Sequence, residues 1–231
     1  MNYFLKVSPL RILDKSLSKS LGRGNLGVLM ARAGVGKTAC LVHIAFDKLF
    51  RNEKLIHVAL EDMPEKVTSY YDVIFSDLIK VLEKEDDSSH RMILERNRMI
   101  LSYMKHSFEI SRLRENLNNL IDKVAFRPDA IIVDGLDFEN TERSVFEGFQ
   151  ELASEFQVEI WFSALTHRHN KEVSERGIPY PCSTVDDLMS IIVQLEPDQS
   201  GVFIKMLKDH DFEVRPDASV RLDPNTFLVT E

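Results

Sequence analysis

The glycine-rich stretch LMARAGVGKTACL, at residues 29–41, restricts the fold of this chain more than any other feature. Its GKT triplet follows a short apolar run at residues 26–31 and precedes residues 38–50, where apolar side chains recur at helical spacing. Residues 54–60, KLIHVAL, predict a second strand. Strand, loop, helix and strand in this order indicate an α/β fold built on a parallel sheet.

The loop between the first strand and the helix, residues 31–38, has the composition of a phosphate-binding site, and we name it the glycine loop. Consecutive backbone N–H groups in such a loop can surround a β-phosphate, and the helix N-terminus favours negative charge. Lys37 is expected to reach the β- and γ-phosphates, and the Thr38 hydroxyl is expected to bind Mg²⁺. The alternative is a glycine turn without function. The residues predicted to bind the nucleotide are Ala33, Gly34, Val35, Gly36, Lys37, Thr38 and Ala39.

The glycine loop departs from the pattern G-x-x-x-x-G-K-[ST] at one position. Ala31 stands where the pattern has its first glycine. That position lies at the end of the strand, where a small residue with an ordinary negative φ is sufficient. We therefore expect the loop to keep its phosphate-binding conformation.

Two acids at predicted strand ends are candidates for the chemistry. Asp134 ends the apolar run AIIVD and is expected to hold Mg²⁺ through water; its alternative role is to cap the next helix. Glu61 follows the strand after the glycine loop, at the sheet edge where ligands bind, and there it can polarise the water that attacks a γ-phosphate. Asp62 is the alternative to Glu61, because sequence does not decide a one-residue register. Its other role would be to cap the helix that starts near Pro64.

The remaining pattern predicts one domain over residues 1–231, with a mostly parallel sheet flanked by helices and antiparallel strands added at its C-terminal side. Helices are predicted at residues 64–80, 90–104, 111–125 and 141–155, with a solvated turn at 83–89 and an extended segment, SFEI, at 107–110. Strands are predicted at residues 130–134, 158–166, 188–196 and 202–208, of which the last two form a hairpin, with short antiparallel strands after it.

The loop ARAGVGKT and the strand end ALEDMP resemble those of the DnaB-type helicase and KaiC branch of the RecA-like ATPases. That branch has an AR-x-x-x-GKT loop without the first glycine and an S-L-E-M strand end, and its lead-in to the first strand is similar to SPLRILDKSL here. The resemblance extends from about residue 8 to the end of the chain. It implies a RecA-like fold, ATP as the nucleotide, and a homo-oligomer that binds the nucleotide near a subunit interface.

The resemblance also implies two further site residues. The family places a polar sensor of the γ-phosphate at the end of the fourth strand, where this chain has His167 beside Thr166; the alternative is an exposed loop histidine. The family inserts a basic residue from a neighbouring subunit, for which Lys205 and Lys208 are candidates and Lys208 matches better. The chain lacks the arginine of the family's K-x-R arrangement. Because lysine cannot form the bidentate contact of arginine, fast hydrolysis is not expected.

The charge of the chain argues against a general affinity for nucleic acid or anionic membranes, since 29 Lys and Arg stand against 37 Asp and Glu, a net charge of −8. Nucleic-acid contact would have to be local, at the basic residues within 91–114 or in the loop 166–181. The alternative for residues 91–114 is a solvated helical face or a subunit contact. No apolar run is long enough for a signal peptide or a bilayer span, so we expect a cytoplasmic protein with no membrane partner.

Three classes of function fit these patterns. The first is an oligomeric ATPase that acts as a motor or switch, in DNA metabolism or in KaiC-like regulation. The second is a nucleotide-binding assembly module with weak or no hydrolysis, and the third is a kinase. Glu61 and the lack of an arginine-rich lid argue against the kinase. We expect the first, Mg²⁺-dependent ATP hydrolysis, and keep the second as the alternative.

Overall fold

The computed structural model of the chain describes residues 2–81, 88–104, 107–167, 172–199 and 201–230. Its helices are α1 (Asn2–Val7), α2 (Lys37–Phe50), α3 (Pro64–Val81), α4 (Ser88–Asn97), α5 (Ile110–Val124) and α6 (Arg143–Phe156), with 3₁₀ helices at Pro9–Lys15 and Cys182–Thr184. Its strands are β1 (Leu26–Ala31), β2 (Leu55–Ala59), β3 (Arg98–Ser102), β4 (Ala130–Asp134), β5 (Glu159–Leu165), β6 (Ile191–Asp198), β7 (Gly201–Asp209) and β8 (Ser219–Leu222).

Within the described residues, the strands form one eight-stranded sheet in the order β3-β2-β4-β5-β1-β6-β7-β8. The pairs from β3 to β6 are parallel, and β7 and β8 are antiparallel additions at the C-terminal side. This confirms the predicted α/β class, with a mostly parallel sheet flanked by helices. Among the described helices, none has the length and apolar character that a bilayer crossing requires.

Helices cover both faces of the sheet, which explains why its central strands are apolar without alternation. Every residue of β1 and β2 is buried. Successive side chains of a strand point to opposite faces, so Leu29 packs in the core under α2, whereas Val28 packs in the core under α6. A strand enclosed in this way gains from an apolar residue at every position.

The edge strand β3 corrects the prediction of a helix over residues 90–104. The helix ends at Asn97, whose side-chain amide donates a hydrogen bond of 2.9 Å to Asn52 Oδ1, and Arg98 to Ser102 then pair with β2. All five residues of β3 are only half-buried. An edge strand of this kind shows neither alternation nor a fully apolar run, so the preceding helical pattern conceals it.

Other predicted boundaries differ little from the observed ones. The predicted extended segment SFEI is not a strand, and Ile110 instead begins α5. Most of the predicted turn at 83–89 lies outside the described residues. The hairpin is confirmed, with Asp198 of β6 opposite Gly201 of β7.

A compact turn after β8 brings the end of the chain back to the start of α2. The Asp223 carboxylate accepts hydrogen bonds of 2.9 Å from the backbone N–H groups of Asn225 and Thr226. The turn places Phe227 directly against Gly36, the residue that precedes α2. The C-terminal part of the chain therefore contacts the glycine loop.

Candidate functional site

A cavity of about 320 Å³ lies at the carboxyl ends of the parallel strands, beside the first residues of α2. Crevices at this edge of an open α/β sheet are the usual ligand sites. Its lining is rich in acids, with a lysine and two histidines. The lining residues are Lys37, Thr38, His57, Ala59, Glu61, Asp62, Val67, Tyr70, Asp134, Gly135, Leu136, Asp137, Phe138, Glu139, Asn140, Ser163, Leu165, His167 and Pro181.

The two glycines of the glycine loop, Gly34 and Gly36, allow its backbone conformation. Gly34 has φ +75° and Gly36 has φ +99°, both in the left-handed region that a side chain disfavours. A Cβ on Gly34 would contact nothing within 4 Å, whereas a Cβ on Gly36 would lie 2.0 Å from the Phe227 ring. Both the positive φ and the nearby Phe227 ring therefore require glycine at position 36.

The structure brings only part of the predicted nucleotide-binding set to the cavity. Lys37 and Thr38 line it. Residues 33–36 form the adjoining turn, with Ala33 and Gly34 exposed. Ala39 faces a smaller cavity of about 70 Å³ beside Phe227.

Asp134 is held in the cavity by two hydroxyl groups. The Thr38 hydroxyl donates a hydrogen bond of 2.9 Å to Oδ2, and the Ser163 hydroxyl donates one of 2.5 Å to Oδ1. The backbone N–H of Gly135 in turn donates to the Ser163 oxygen at 3.4 Å. The carboxylate is thus oriented beside the first turn of α2, as the predicted metal-holding role requires.

Glu61 and Asp62, which sequence could not separate, differ in their contacts. A Cβ on Gly135 would lie 2.8 Å from Glu61 Cγ, so the Glu61 side chain packs against the residue after Asp134. The Asp62 carboxylate forms an ion pair of 2.6 Å with Lys66, one turn further along the chain. Both acids line the cavity, but Glu61 packs beside the residue after Asp134, whereas the Asp62 carboxylate is paired with Lys66 at the start of α3.

Lys37 carries a charge that the described residues do not neutralise by contact. Its ammonium is half-buried and forms no hydrogen bond or ion pair with any residue in the described ranges. Burial lowers the pKa of Lys37, and the charges of Asp134 and Glu61 only partly offset that effect. A cation at a helix N-terminus is also disfavoured by the helix dipole. An anionic ligand would relieve both costs.

His167 follows the end of β5 and lines the cavity; its role as a phosphate sensor stays a prediction. Its Nε2 atom lies 3.3 Å from Glu139 Oε1, and both residues line the cavity. The preceding Thr166 is buried. The imidazole therefore sits where a ligand in the cavity would meet it.

Lys208 and Lys205 lie elsewhere, on β7. The Lys208 ammonium donates a hydrogen bond of 2.6 Å to the backbone carbonyl of Asp186, and Lys205 forms an ion pair with Glu196. Neither lysine lines the cavity. A role in the site of a neighbouring subunit stays a prediction.

Arginines of the basic segment 91–114 contact their own chain. The guanidinium groups of Arg91 and Arg98 lie over aromatic rings, at 5.2 Å from the ring centre of Phe75 and 4.2 Å from that of Tyr71. Arg114 forms an ion pair of 2.9 Å with Glu155. Lys105, and with it Arg168 and Lys171 of the loop 166–181, lies outside the described residues. The described part of segment 91–114 favours intramolecular contacts over a nucleic-acid surface.

Sequence reasoning missed Ser163 and His57, which both line the cavity. A signal for each was present, because each is a polar residue inside an otherwise apolar strand. Their partners lie far away in sequence, so their roles could not be read from spacing.

No protein-family model matches the chain, and no curated protein matches its sequence. Functional inference therefore depends on the geometry of the cavity.

Proposed function

We propose that the chain is a RecA-like core that binds ATP with magnesium and hydrolyses it, acting as an oligomeric switch or motor. The observation that carries this proposal is Lys37: a half-buried ammonium that forms no ion pair with the described residues, at the N-terminus of α2, directly after a loop with two left-handed glycines. A buried charge without a partner is costly. The triphosphate of a nucleotide supplies the missing negative charge, next to the free N–H groups of the helix.

The residues around Lys37 also fit a magnesium ion. Mg²⁺ is bound in nucleotide sites by one or two protein oxygens, water and phosphate, not by a full set of side chains. Thr38 and Asp134 would hold it, since their side-chain oxygens lie 2.9 Å apart beside the start of α2. Within the described ranges, no group of three or more His, Cys, Asp and Glu side chains forms a metal site by itself. When bound, the ion would neutralise phosphate charge that builds up during transfer.

The chain's own residues divide the reaction between them. Glu61 would orient a water molecule and accept its proton as that water attacks the terminal phosphate. Lys37 would stabilise the phosphate oxygens, and Ser163 would keep Asp134 in place through its 2.5 Å hydrogen bond. His167, now beside Glu139, would meet the terminal phosphate.

The choice of ATP and of an oligomer follows from the resemblance of ARAGVGKT and ALEDMP to the DnaB and KaiC branch. No residue of the cavity identifies the base. A role in DNA metabolism or in KaiC-like regulation is an extension of the same resemblance.

One observation favours a second candidate, a nucleotide-binding assembly module with weak hydrolysis. The Lys208 ammonium already binds the Asp186 carbonyl of its own chain, at 2.6 Å. A lysine held in this way is less available to a neighbouring subunit. The arginine that would accompany it in the family is absent from this chain.

ATP affinity and phosphate release, measured on the wild type and three variants, test the proposal. We expect Lys37→Ala to weaken ATP binding by about 100-fold, because charge-assisted hydrogen bonds to two phosphates are lost. We expect Glu61→Gln to bind ATP normally and to slow phosphate release by about 100-fold or more. Asp62→Asn is the matched comparison for the alternative acid: its carboxylate also lines the cavity but is paired with Lys66, so we expect it to change either quantity by less than about threefold.

The results separate the two candidates. A rate per chain that increases with protein concentration supports the oligomeric ATPase. Magnesium-dependent ATP binding without turnover supports the assembly module. Wild-type protein that binds no ATP at any magnesium concentration would contradict both.

A further inference from the structure

A buried polar pair lies under the cavity, on the face of the sheet that α2 and α3 cover. His57, in the middle of β2, has its Nδ1 atom 3.1 Å from the hydroxyl of Tyr71 on α3. The exposed fraction is 1% for His57 and 0% for Tyr71. The residues paired with His57 on the two neighbouring strands, Ile100 and Ile132, are apolar. The pair is thus a polar exception in an apolar region of the core.

A contribution to the stability of the fold does not explain why a polar pair occupies this position. Apolar residues of similar volume fill a core at least as well as a buried polar pair, and they leave no donor or acceptor to satisfy. The guanidinium of Arg98 lies 4.2 Å from the ring centre of Tyr71, so the cluster also contains a charged group. A polar cluster with this cost, next to a cavity, points to a role in that cavity.

The contacts of Tyr71 decide which imidazole nitrogen carries the proton. A buried phenol must donate its single O–H to an acceptor. Within the described residues, the one hydrogen-bond partner of the Tyr71 hydroxyl is His57 Nδ1. The phenol can donate its proton there only if Nδ1 is unprotonated and accepts. In the neutral imidazole the proton then resides on Nε2.

The other nitrogen is available to the cavity. His57 lines the cavity together with Lys37, Thr38 and Asp134. Across the described part of the chain, no hydrogen bond involves its Nε2 atom. Burial lowers the pKa of His57 to about 4, against the opposing influence of Asp134, so the ring is neutral at physiological pH.

We propose that His57 is a positioning residue of the cavity: Tyr71 fixes its imidazole as the Nε2–H tautomer, and this N–H donates a hydrogen bond to the oxygens around a magnesium ion held by Thr38 and Asp134. The inference rests on the proposed function and adds a residue to it. It assigns Tyr71, which does not line the cavity, the task of holding the donor in place. Residues behind a metal site commonly act in this way.

The tautomer is tested first, in protein without nucleotide. Long-range ¹H–¹⁵N NMR spectra distinguish Nε2–H from Nδ1–H histidine, and the His57→Gln variant assigns the signal. We expect the Nε2–H form in the wild type and a mixture of forms in Tyr71→Phe, which removes the donor to Nδ1. A wild-type ring protonated on Nδ1 overturns the inference, whatever the protein binds.

The role in the cavity is tested by calorimetric titration of ATP at increasing MgCl₂ and in EDTA. We expect His57→Leu to weaken the apparent Mg²⁺ affinity about tenfold, while ATP affinity in EDTA stays unchanged. His57→Gln, whose side-chain amide keeps an N–H near the position of Nε2, should restore most of the loss. His43→Leu is the matched control, because His43 is equally buried but faces the smaller cavity beside Phe227.

The outcomes separate this inference from the proposed function. If the wild type binds Mg²⁺ and ATP together but His57→Leu behaves as His43→Leu does, the role of His57 is wrong and the proposed function stands. An equal loss with and without magnesium also overturns it, because it indicates a general structural defect. A wild type that binds no ATP contradicts the proposed function and the magnesium role together.

Discussion

The two ends of α2 each present a lysine to a cavity, and the two lysines differ in how their charge is compensated. Lys37, the first residue of the helix, lines the cavity of about 320 Å³ at the carboxyl ends of the strands. Lys48, in the last turn, lines a cavity of about 310 Å³ at their amino ends. The cavities are nearly equal in volume, so volume alone does not indicate which of them binds a ligand.

Charge does distinguish them. The Lys48 ammonium lies 2.6 Å from Glu159 and 3.5 Å from Glu53, and these acids outweigh burial to raise its pKa. It also sits at the helix C-terminus, where a cation is favoured. Burial lowers the pKa of Lys37, and the charges of Asp134 and Glu61 offset that effect only in part. Lys37 also sits at the helix N-terminus, where a cation is disfavoured. The lysine of the amino-end cavity is therefore compensated within the protein, whereas the lysine of the carboxyl-end cavity keeps the uncompensated charge on which the proposed anion site rests.

The largest expected effect concerns Lys48, whose charge is compensated, at the C-terminal end of α2. Lys48→Met should lower the free energy of unfolding by about 3 kcal/mol, because it leaves the buried Glu159 carboxylate without its partner. ATP affinity should stay unchanged. Urea denaturation measures the first quantity and calorimetry the second. Adding Glu159→Gln to the variant should recover most of the loss; if it does not, the ion pair is not the cause.

The next effect tests the glycine loop. Gly36→Ala should destabilise the protein by about 2 kcal/mol more than Gly34→Ala, as measured by urea denaturation. Both residues have positive φ, but only at Gly36 would the new methyl group meet the Phe227 ring, at 2.0 Å. Adding Phe227→Ala should reduce the excess cost of Gly36→Ala. Equal losses in the two single variants would show that the ring moves aside freely.

The smallest effect follows from the opposite pKa shifts. A lysine with a lowered pKa holds more of the reactive neutral amine, so acetylation near pH 9 should modify Lys37 several-fold faster than Lys48, as quantified by peptide mass spectrometry. Mg²⁺ with ATP should protect Lys37 alone. Equal rates without nucleotide would contradict the contrast between the helix ends.

The same shifts have opposite consequences for stability at high pH. The folded pKa of Lys48 is raised, so its contribution is present below the unfolded value of 10.5 and is lost as the pH rises through the folded value. The folded pKa of Lys37 is lowered below the unfolded value of 10.5. As the pH rises from the folded to the unfolded pKa, the folded protein loses this unfavourable charge first, so the free energy of unfolding increases over that range. Lys37→Met should remove that gain from the pH profile of unfolding.

Local patterns predicted most of the fold, because the central strands are continuous apolar runs and the helices carry apolar residues at helical spacing. The apolar runs of β1 and β4 and the glycine loop lie where the sequence places them. β3 was missed for a physical reason: at the sheet edge its five residues are all half-buried, and neither helical nor strand periodicity results. Tertiary pairing with β2, not local preference, makes this segment a strand.

The candidate site was predictable only to the level of residue type. The sequence indicated acids at two strand ends, but it could not show that Glu61 packs against Gly135 whereas Asp62 is paired with Lys66. Ser163 and His57 join the site through partners on other elements. The first contact depends on the order of strands in the sheet, and the second on how α3 packs against β2; local sequence encodes neither.

The position of β1 in the sheet also has a consequence for synthesis on the ribosome. Its two neighbours are β5 and β6, both of which are translated much later than β1 itself. A nascent chain therefore exposes the glycine loop before any flanking strand exists to support it. Stalled chains of increasing length should stay open to protease at this loop until β6 has left the exit tunnel.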